Sequence, residues 1–332
     1  MATDEEPAGR FRREVVRWYR RNARDLPWRR PDASPWAVLV SEVMLQQTPV
    51  SRVLPVWRQW LADWPVPAAL AAAEPAAAIR AWGRLGYPRR AIRLHAAARV
   101  IDEQHGGTVP DDEAALRALP GIGEYTAAAV LAFAFQRRTT VLDTNVRRVH
   151  TRFFDGRSHP GAAVTAAERS RAAQLLPRTG PAAAEFGMAV MEFGALVCTA
   201  RAPACSICPL ARDCRWLSLG GPLPKELRRG QGYAGTDRQA RGALLAMLRD
   251  AHGPVRTEEL ALAWNPAEQR ERALASLVAD GLAVATGTGF ALPGGQVPAS
   301  MSCVVSPGAS DALAAQRTSG SGTGTELTSS LE

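Results

Sequence analysis

The chain has 332 residues and a formal net charge of +8 at pH 7, with a sequence pI of about 9.9. This length fits two or three domains, and the positive charge favours an anionic partner such as nucleic acid. The first residues, MATDEEP, are acidic and are not followed by an apolar run, so no secretory signal is expected. The longest apolar run, residues 127–135, is well short of the ~18 residues that cross a bilayer. We therefore expect a cytoplasmic protein without a membrane-spanning segment.

Helical patterns dominate the first 215 residues. An amphipathic helix is predicted at 8–22, and after the turn Leu26-Pro27-Trp28-Arg29 a second helix is predicted at 36–47. Alanine-rich helices follow, with prolines at their starts and breaks, at 52–64, 67–73, 75–84, 88–104 and 111–118. Alternating strand patterns are not evident before residue 280. This part of the chain is therefore predicted to be entirely helical.

Helix 36–47, with the sequence WAVLVSEVMLQQ, contains one carboxylate, Glu42, and is apolar on nearly all sides. A helix of this kind is buried, and a buried carboxylate is costly unless it is paired or protonated. Burial also raises a carboxyl pKa, sometimes by several units. From the residues alone, Glu42 is either a structural carboxylate satisfied by arginine or backbone N–H groups, or a catalytic acid.

Residues 116–149 combine a helix–turn–helix with an aspartate. Pro120-Gly121-Ile122-Gly123 predicts a tight turn between a short helix and an apolar helix at 125–135. Glycines allow close approach of the backbone, and the free N–H groups at the start of the second helix can bind a phosphate. Asp143 precedes a further helix, where an aspartate most often serves as an N-cap. Taken alone, the turn is either a DNA-binding hairpin or an ordinary connection between helices, and other motifs are needed to favour DNA binding. Asp143 is either a cap or a catalytic group.

Four of the five cysteines lie close together, at Cys198, Cys205, Cys208 and Cys214. In a cytoplasmic protein this grouping indicates metal ligation and not a disulfide framework. Zinc bound by four thiolates is the alternative, but zinc ribbons usually have two separate C-x2-C pairs. A compact loop with one such pair suits a [4Fe–4S] cluster, in which each thiolate binds one iron. Cys303, the fifth cysteine, is assigned no role.

Several motifs together resemble the MutY-type adenine DNA glycosylases of the endonuclease III superfamily. The motifs are LPW-R at 26–29, SEVMLQQT at 41–48, LGY at 85–87, the helix-hairpin-helix turn, LD-x-NV at 142–146 and the cysteine spacing. They occur in the family's order and cover about residues 10–215. The resemblance implies a mainly α fold: a six-helix barrel at 28–138 that contains the hairpin, and an iron–sulfur helical domain at 1–27 and 139–220.

The resemblance also implies roles for individual residues. Glu42 would be the general acid, Asp143 would stabilise the oxocarbenium ion, and Tyr125 and Asn145 would order the site. The remaining implied residues contact DNA or the lesion pair: Trp28, Arg29, Gln47, Tyr87, Gly121 and Gly123. Two residues depart from the family pattern, since Pro88 stands where many members have a second tyrosine and Thr144 replaces a commoner glycine.

The function expected from these residues is removal of adenine opposite 8-oxoguanine or guanine in double-stranded DNA. Endonuclease III-type lyases use a lysine at the position of Tyr125, and the only lysine here is Lys225, beyond the cysteine loop. A monofunctional hydrolase is therefore expected, acting as a monomer in the cytoplasm at the nucleoid. The alternatives are a thymine or uracil mismatch glycosylase of the same fold and a non-catalytic iron–sulfur DNA-binding protein.

The C-terminal part has a different composition. Residues 221–236 are predicted to be a linker, and residues 294–332, rich in Ser, Gly and Thr, a disordered tail. Between them, helices at 238–250, from a Thr257 cap to 262 and at 266–280, with a hairpin at 282–292, predict a small winged-helix-like module at 237–293. Many MutY-type enzymes end in a larger Nudix-like domain, for which this chain is too short.

Overall fold

The computed structural model describes residues 5–222 and 232–294 and is mainly helical. The helices before residue 150 are α1 (Glu5–Asn22), α2 (Pro35–Leu45), α3 (Val50–Asp63), α4 (Pro67–Ala71), α5 (Pro75–Trp82), α6 (Arg89–His105), α7 (Glu113–Ala118), α8 (Glu124–Phe133) and α9 (Thr144–His150). Those after it are α10 (Ala166–Leu175), α11 (Gly180–Leu196), α12 (Arg215–Ser218), α13 (Asp237–Asp250), α14 (Thr257–Ala263) and α15 (Ala267–Ala279). The strands are β1 (Val255–Arg256), β2 (Val284–Ala285) and β3 (Gly289–Ala291). The mainly helical fold class is thereby confirmed.

Helices α2 to α8 pack around one apolar core. Its largest members are tryptophans from several elements, and Trp60 and Trp82 are completely buried. Their rings meet edge to face with centroids 5.7 Å apart, an arrangement that aromatic pairs prefer. Helix α2 lies inside this core, since each residue from Trp36 to Met44 is buried. The core thus holds the helix that bears Glu42.

A second core joins the N-terminal helix α1 to helices that come much later in the chain. Phe11 and Val15 of α1 are fully buried in this core, which also contains Phe153, just after α9, and Phe193 of α11. This packing brings the start of the chain to α11, the helix that leads into the cysteine loop. The split of the iron–sulfur domain into segments 1–27 and 139–220 stays a prediction.

The C-terminal module contains α13, α14 and α15 and a three-stranded antiparallel sheet of order β1-β3-β2. The sequence analysis missed one strand of this module and misplaced one helix cap. Strand β1 lies before residue 280 and was missed because two residues cannot display an alternating pattern. Thr257 is the first residue of α14 and not its cap, because the chain enters the helix directly from β1 at Arg256.

The module packs against the barrel, and the two belong to one compact unit. Ala76 and Ile79 of α5 share a buried core with the leucines of α13 and α15. The Arg80 guanidinium donates hydrogen bonds to the carbonyls of Arg249 and Ala251, at 3.2 and 2.9 Å. The position of the module relative to the barrel is therefore fixed by both apolar and polar contacts.

Most of the predicted linker and nearly all of the predicted tail lie outside the described residues, as do Lys225 and Cys303. In the ranges 5–222 and 232–294, no helix is long and apolar enough to cross a membrane. Helix α2 ends at Leu45, two residues earlier than predicted, because Gln47 takes a left-handed backbone with φ of 54°.

Candidate active site

Glu42 is buried on α2, with 5% of its surface exposed. Helix α2 begins with a proline, Pro35, and is capped by Ser34, whose hydroxyl accepts the backbone N–H of Ala37 at 3.2 Å. Burial raises the pKa of the Glu42 carboxyl from its ordinary value of 4.5 to about 7. The carboxyl is therefore divided between its protonated and ionised forms near neutral pH, as a proton donor must be.

The neighbours of Glu42 have opposing effects on its pKa. The Tyr125 hydroxyl donates a hydrogen bond to Glu42 Oε2 at 3.2 Å, which lowers the pKa. The charge of Asp143 raises it, and that of Arg29 lowers it by a smaller amount. The three side chains therefore surround the carboxyl, as expected of the residues implied by the sequence motifs.

Asp143 is the N-cap of α9, which is one of the two roles that the sequence left open. Its Oδ1 accepts the backbone N–H of Val146 at 2.6 Å, and its Oδ2 accepts the side-chain amide of Asn145 at 2.7 Å. Burial raises the pKa of Asp143, while these hydrogen bonds oppose the rise. A cap and a catalytic role are compatible here, because the capping carboxylate also lies near Glu42.

A chain of hydrogen bonds connects Asp143 to the cysteine loop. Asn145 Oδ1 accepts from Arg148 at 2.8 Å, and the same guanidinium donates to the carbonyl of Cys198 at 2.8 Å. The close approach of α9 and α11 needs glycine at 194, because a Cβ there would lie 2.8 Å from the Asn145 Cβ. The position of Asp143 thus depends on the segment that begins the cysteine loop.

Trp28 and Arg29 were expected, like Tyr87, to contact DNA or the lesion pair, but the structure places them beside Glu42 and away from Tyr87. Together with Phe133, Met188 and Met191, they line a cavity of about 30 Å³ next to the carboxyl. That volume corresponds to about one water molecule, so a base could enter only if side chains move. The two methionines are suited to this, since their thioether chains repack readily.

Glu192 is a buried residue of this site that the sequence reasoning missed. Burial alone would raise its pKa, but hydrogen bonds from Arg24 and the charge of Arg29 lower it to about 2. Both nitrogens of the Arg24 fork lie 2.7 Å from the carboxylate oxygens, and Arg29 lies 2.9 Å away. The missed signal resembles the one used for Glu42: a carboxylate within the apolar stretch FGMAVMEFGAL, here in α11.

Gln47 and Tyr87 form a separate group outside this cavity. Both side chains are exposed and both backbones are left-handed, with φ of 54° and 47°. Such a conformation costs an ordinary residue about 1–3 kcal/mol and persists where the surrounding structure imposes it. Strain at both predicted lesion-contacting positions supports a role for them in recognition.

The hairpin turn offers open backbone. Gly121 has φ of +81°, and a Cβ there would lie 2.8 Å from the Cβ of Arg93, so only glycine fits. A Cβ on Gly123 would meet nothing within 4 Å, and this residue caps α8 without a side chain. The first turn of α8 is therefore accessible to a phosphate, as the motif predicts.

The four clustered cysteines carry free thiols in one loop between α11 and α12, all of them partly buried. Within the part of the chain that the structure describes, no three His, Cys, Asp or Glu side chains are placed to hold a single metal ion. A four-iron cluster does not require such a placement, because each thiolate binds its own iron. The Arg152 guanidinium, 3.4 Å from Cys198 Sγ, provides a compensating positive charge. The donor set therefore fits the cluster.

Purified protein is expected to show the absorbance of a [4Fe–4S] centre and to contain about four irons per chain. Cys208→Ser should lose the cluster and DNA affinity together, since the loop is then no longer held by all four thiolates. Cys303→Ser is the matched control and should retain both. Stoichiometric zinc without iron in anaerobically purified protein would contradict the expectation.

Comparison with known proteins confirms the resemblance found in the sequence. Residues 40–174 match the model of the HhH-GPD superfamily of base excision DNA repair proteins, and residues 198–214 match the iron–sulfur binding domain of endonuclease III. The second match contains all four clustered cysteines, which confirms the prediction of an iron–sulfur cluster.

Three relatives illustrate the match. An adenine DNA glycosylase of Mycobacterium tuberculosis is 52% identical over 284 residues, which is 84% of this chain and 92% of the relative. A thymine/uracil-DNA glycosylase of Pyrobaculum aerophilum is 37% identical, over 64% of this chain and 95% of the relative. The structure of a thermostable thymine-DNA glycosylase superposes with a TM-score of 0.60 at 26% identity, covering 65% of this chain and 98% of that one. The chain therefore belongs to the adenine DNA glycosylase family within the HhH-GPD superfamily of base excision DNA repair proteins.

Proposed function

We propose that this protein removes adenine mispaired with 8-oxoguanine or guanine from double-stranded DNA. It does so by hydrolysing the N-glycosidic bond, as a monomer, in the cytoplasm at the nucleoid. The observation that carries the proposal is the buried carboxyl of Glu42, whose pKa is raised to about 7 beside Tyr125 and Asp143. Support also comes from the named activity of the mycobacterial relative that covers most of the chain.

The chemistry begins once the adenine has left the base stack and entered the pocket, a step that costs a few kcal/mol and least at a mismatch. Glu42 in its protonated form gives its proton to the adenine ring. The electron pair of the glycosidic bond then leaves with the base, and the sugar is left as an oxocarbenium ion. Water adds to this cation, and its surplus proton passes to the Glu42 carboxylate, which restores the acid.

Asp143 has the electrostatic part of this mechanism. An anion held near the sugar favours the transition state over the neutral substrate, because positive charge develops only as the bond breaks. Its hydrogen bonds from Val146 N–H and Asn145 fix the carboxylate in place before the reaction. Tyr125 holds the Glu42 carboxyl through its hydroxyl.

The iron–sulfur cluster, when bound to the four cysteines, supplies structural and electrostatic support at the DNA-facing loop. Arg148, which donates to the carbonyl of Cys198 in this loop, also donates to Asn145. The cluster would therefore affect catalysis by helping to fix the position of Asp143.

The choice of adenine is tested by one single-turnover assay on duplexes that differ only in the target pair. Release of the free base is expected from A·8-oxoG and A·G, and none from T·G or U·G. The opposite pattern would assign the protein to the thymine/uracil type, a function favoured by the 37% identical relative. Binding to all four duplexes without release would instead indicate a non-catalytic DNA-binding protein.

The mechanism is proposed to be monofunctional. A Schiff-base lyase needs an amine that attacks the exposed sugar carbon. At the start of α8 the chain offers Tyr125, whose hydroxyl is bonded to Glu42, and the only lysine in the sequence is Lys225.

Base release is therefore expected without strand cleavage, so that the strand stays intact until alkali or heat is applied. Borohydride should trap no covalent enzyme–DNA adduct during the reaction. An adduct that survives Lys225→Ala would point to the N-terminal amine, and strand cleavage that keeps pace with base release would contradict the monofunctional mechanism.

A further inference from the structure

A large open cavity separates the loop regions of Gln47 and Tyr87 from helix α13 of the C-terminal module. Its volume is about 810 Å³, in the range of cavities that bind whole small molecules. The walls come from both parts, since Tyr87 lies on the barrel side and Tyr233 and Arg238 lie on the module side. Because the module is fixed against α5 by a shared core, the cavity is a built feature of the fold.

The cavity carries a strong positive charge. Seven arginines line it, and Asp280 is the one acidic residue among its lining residues. Asp280 is paired with two of them, Arg89 at 3.1 Å and Arg241 at 2.5 Å. The other five have no acidic partner in the two ranges that the structure covers: Arg52, Arg84, Arg90, Arg93 and Arg238. Such a concentration of charge in a concave surface favours an anion with more than one phosphate.

One of these arginines joins the two walls. The guanidinium of Arg238 lies 5.6 Å from the ring centre of Tyr87 and 5.7 Å from that of Tyr233. Arg90, on the barrel side, lies 5.5 Å from the Tyr87 ring. Both tyrosines remain about half exposed, at 46% and 54%. Alternating guanidinium and aromatic groups with exposed faces form a surface on which a nucleic acid base can stack.

The cavity also reaches the hairpin. Arg93 lies against Gly121 in the hairpin turn and lines the cavity as well. The charged wall is therefore continuous with the backbone N–H groups that are predicted to bind a phosphate. A duplex held by the hairpin would meet the cavity without leaving the same face of the protein.

We propose that the C-terminal module is part of the DNA-binding surface, and that Arg238 and Tyr233 contact the strand opposite the excised base. The nucleotide opposite the adenine, together with its flanking phosphates, occupies the arginine-lined cavity beside Tyr87. This assignment rests on the proposed function and on the expectation from the sequence motifs that Gln47 and Tyr87 contact the lesion pair. The contacting helix is α13 and not α15, whose Arg270 and Arg272 alternate with Glu268 and Glu271 and do not line the cavity.

Photo-crosslinking tests which strand the module meets. Tyr233 is replaced by p-benzoylphenylalanine in the full chain, and the probe is a duplex with 8-oxoguanine opposite a tetrahydrofuran abasic analogue, each strand labelled in turn. The crosslink is expected on the 8-oxoguanine strand, within a few nucleotides of the lesion. The matched control carries the same group at Leu262, which is 85% exposed on α14 and lies outside the cavity. Crosslinking of the abasic strand alone, equal yields from both positions, or no crosslink from position 233 would overturn the proposal.

Salt-dependent binding of the same duplex tests Arg238. Arg238→Ala is expected to weaken binding at least about fivefold and to lower the slope of log K against log salt by about 1. Arg238→Lys should restore the slope, because a lysine retains the charge. The control Arg256→Ala removes the same charge from the module at an exposed position paired with Glu259, and should leave both quantities unchanged. Equal effects of the two alanine variants would overturn the assignment.

The results of these two experiments can be distinguished from the result of the assay that tests the proposed function. Neither measurement requires base excision, whereas the single-turnover assay on the wild-type protein measures excision alone. Excision from A·8-oxoG with no crosslink and no effect of Arg238→Ala would leave the function standing and remove the module from the interface. A crosslink on the opposite strand without adenine excision would do the reverse.

Discussion

Glu42→Gln is expected to lower the single-turnover rate of adenine excision by about 10²–10⁴-fold or more. The variant should still bind the mismatched duplex. Glutamine has nearly the same shape and can still accept the Tyr125 hydroxyl hydrogen bond, but it has no proton to give. In the wild type the rate constant should fall about tenfold for each pH unit above 7, because only the protonated carboxyl acts and its pKa is about 7. A variant that excises adenine at close to the wild-type rate would remove Glu42 from the mechanism.

The same substitution is expected to stabilise the fold at alkaline pH. The folded-state pKa of Glu42 is raised, so the folded protein binds an extra proton and the free energy of unfolding falls as pH rises from 4.5 to about 7. A shift of this size corresponds to about 3 kcal/mol. The Gln variant does not titrate there, so its stability relative to wild type should rise by about that amount between pH 4.5 and pH 8. Denaturant unfolding at the two pH values measures it.

Glu168→Gln is the control for this pair of results. Glu168 is also buried, and burial alone would raise its pKa, but hydrogen bonds from Arg147 and from the backbone N–H of Thr165 lower it. It therefore stabilises the fold above its unfolded-state pKa, and this stabilisation is lost as pH falls. Its replacement should destabilise the protein at pH 7 and leave excision per folded molecule unchanged. Loss of activity with gain of stability is thus expected only at position 42.

The sequence predicted those features of the site that depend on local pattern. The burial of Glu42 followed from the apolar residues all around α2, and the cap at Asp143 followed from its place before a helix. Glu192 gives a similar local signal in α11 and could have been found by the same reasoning. The local sequence does not show that Arg24 and Arg29 bind Glu192, because they precede it by 168 and 163 residues in the chain.

Features that arise from tertiary packing were beyond the sequence. The left-handed backbones of Gln47 and Tyr87 are unfavourable for these residue types and exist only because surrounding contacts impose them. The arginine-lined cavity depends on where α13 packs against the barrel, which no periodicity encodes. The contact between Arg238 of α13 and the Tyr87 ring likewise joins two distant parts of the chain.

Asp143→Asn is expected to reduce excision by about 10²–10³-fold, the range found when one electrostatic stabiliser of a transition state is removed. The substitution removes the negative charge that faces the sugar cation. It also creates a conflict between two donors: if the side-chain oxygen keeps the Val146 N–H, the new NH₂ group faces the Asn145 amide. Asn145 cannot simply turn, because its oxygen already accepts from Arg148. A stability loss of about 1–3 kcal/mol is therefore expected as well.

Asp112→Asn separates the catalytic role of Asp143 from its capping role. Asp112 caps α7 in the same way, with its Oδ1 accepting the backbone N–H of Ala115 at 2.9 Å, but it is exposed and does not line the cavity beside Glu42. Asparagine caps a helix about as well as aspartate, so this control should keep both stability and excision. If Asp143 were only a cap, its Asn variant would behave similarly once the fraction of folded protein is taken into account. The excision rate per folded molecule is measured under single-turnover conditions for both variants. A rate that falls for Asp143→Asn and not for Asp112→Asn would assign the loss to the missing charge. Equal rates would leave Asp143 as a cap alone.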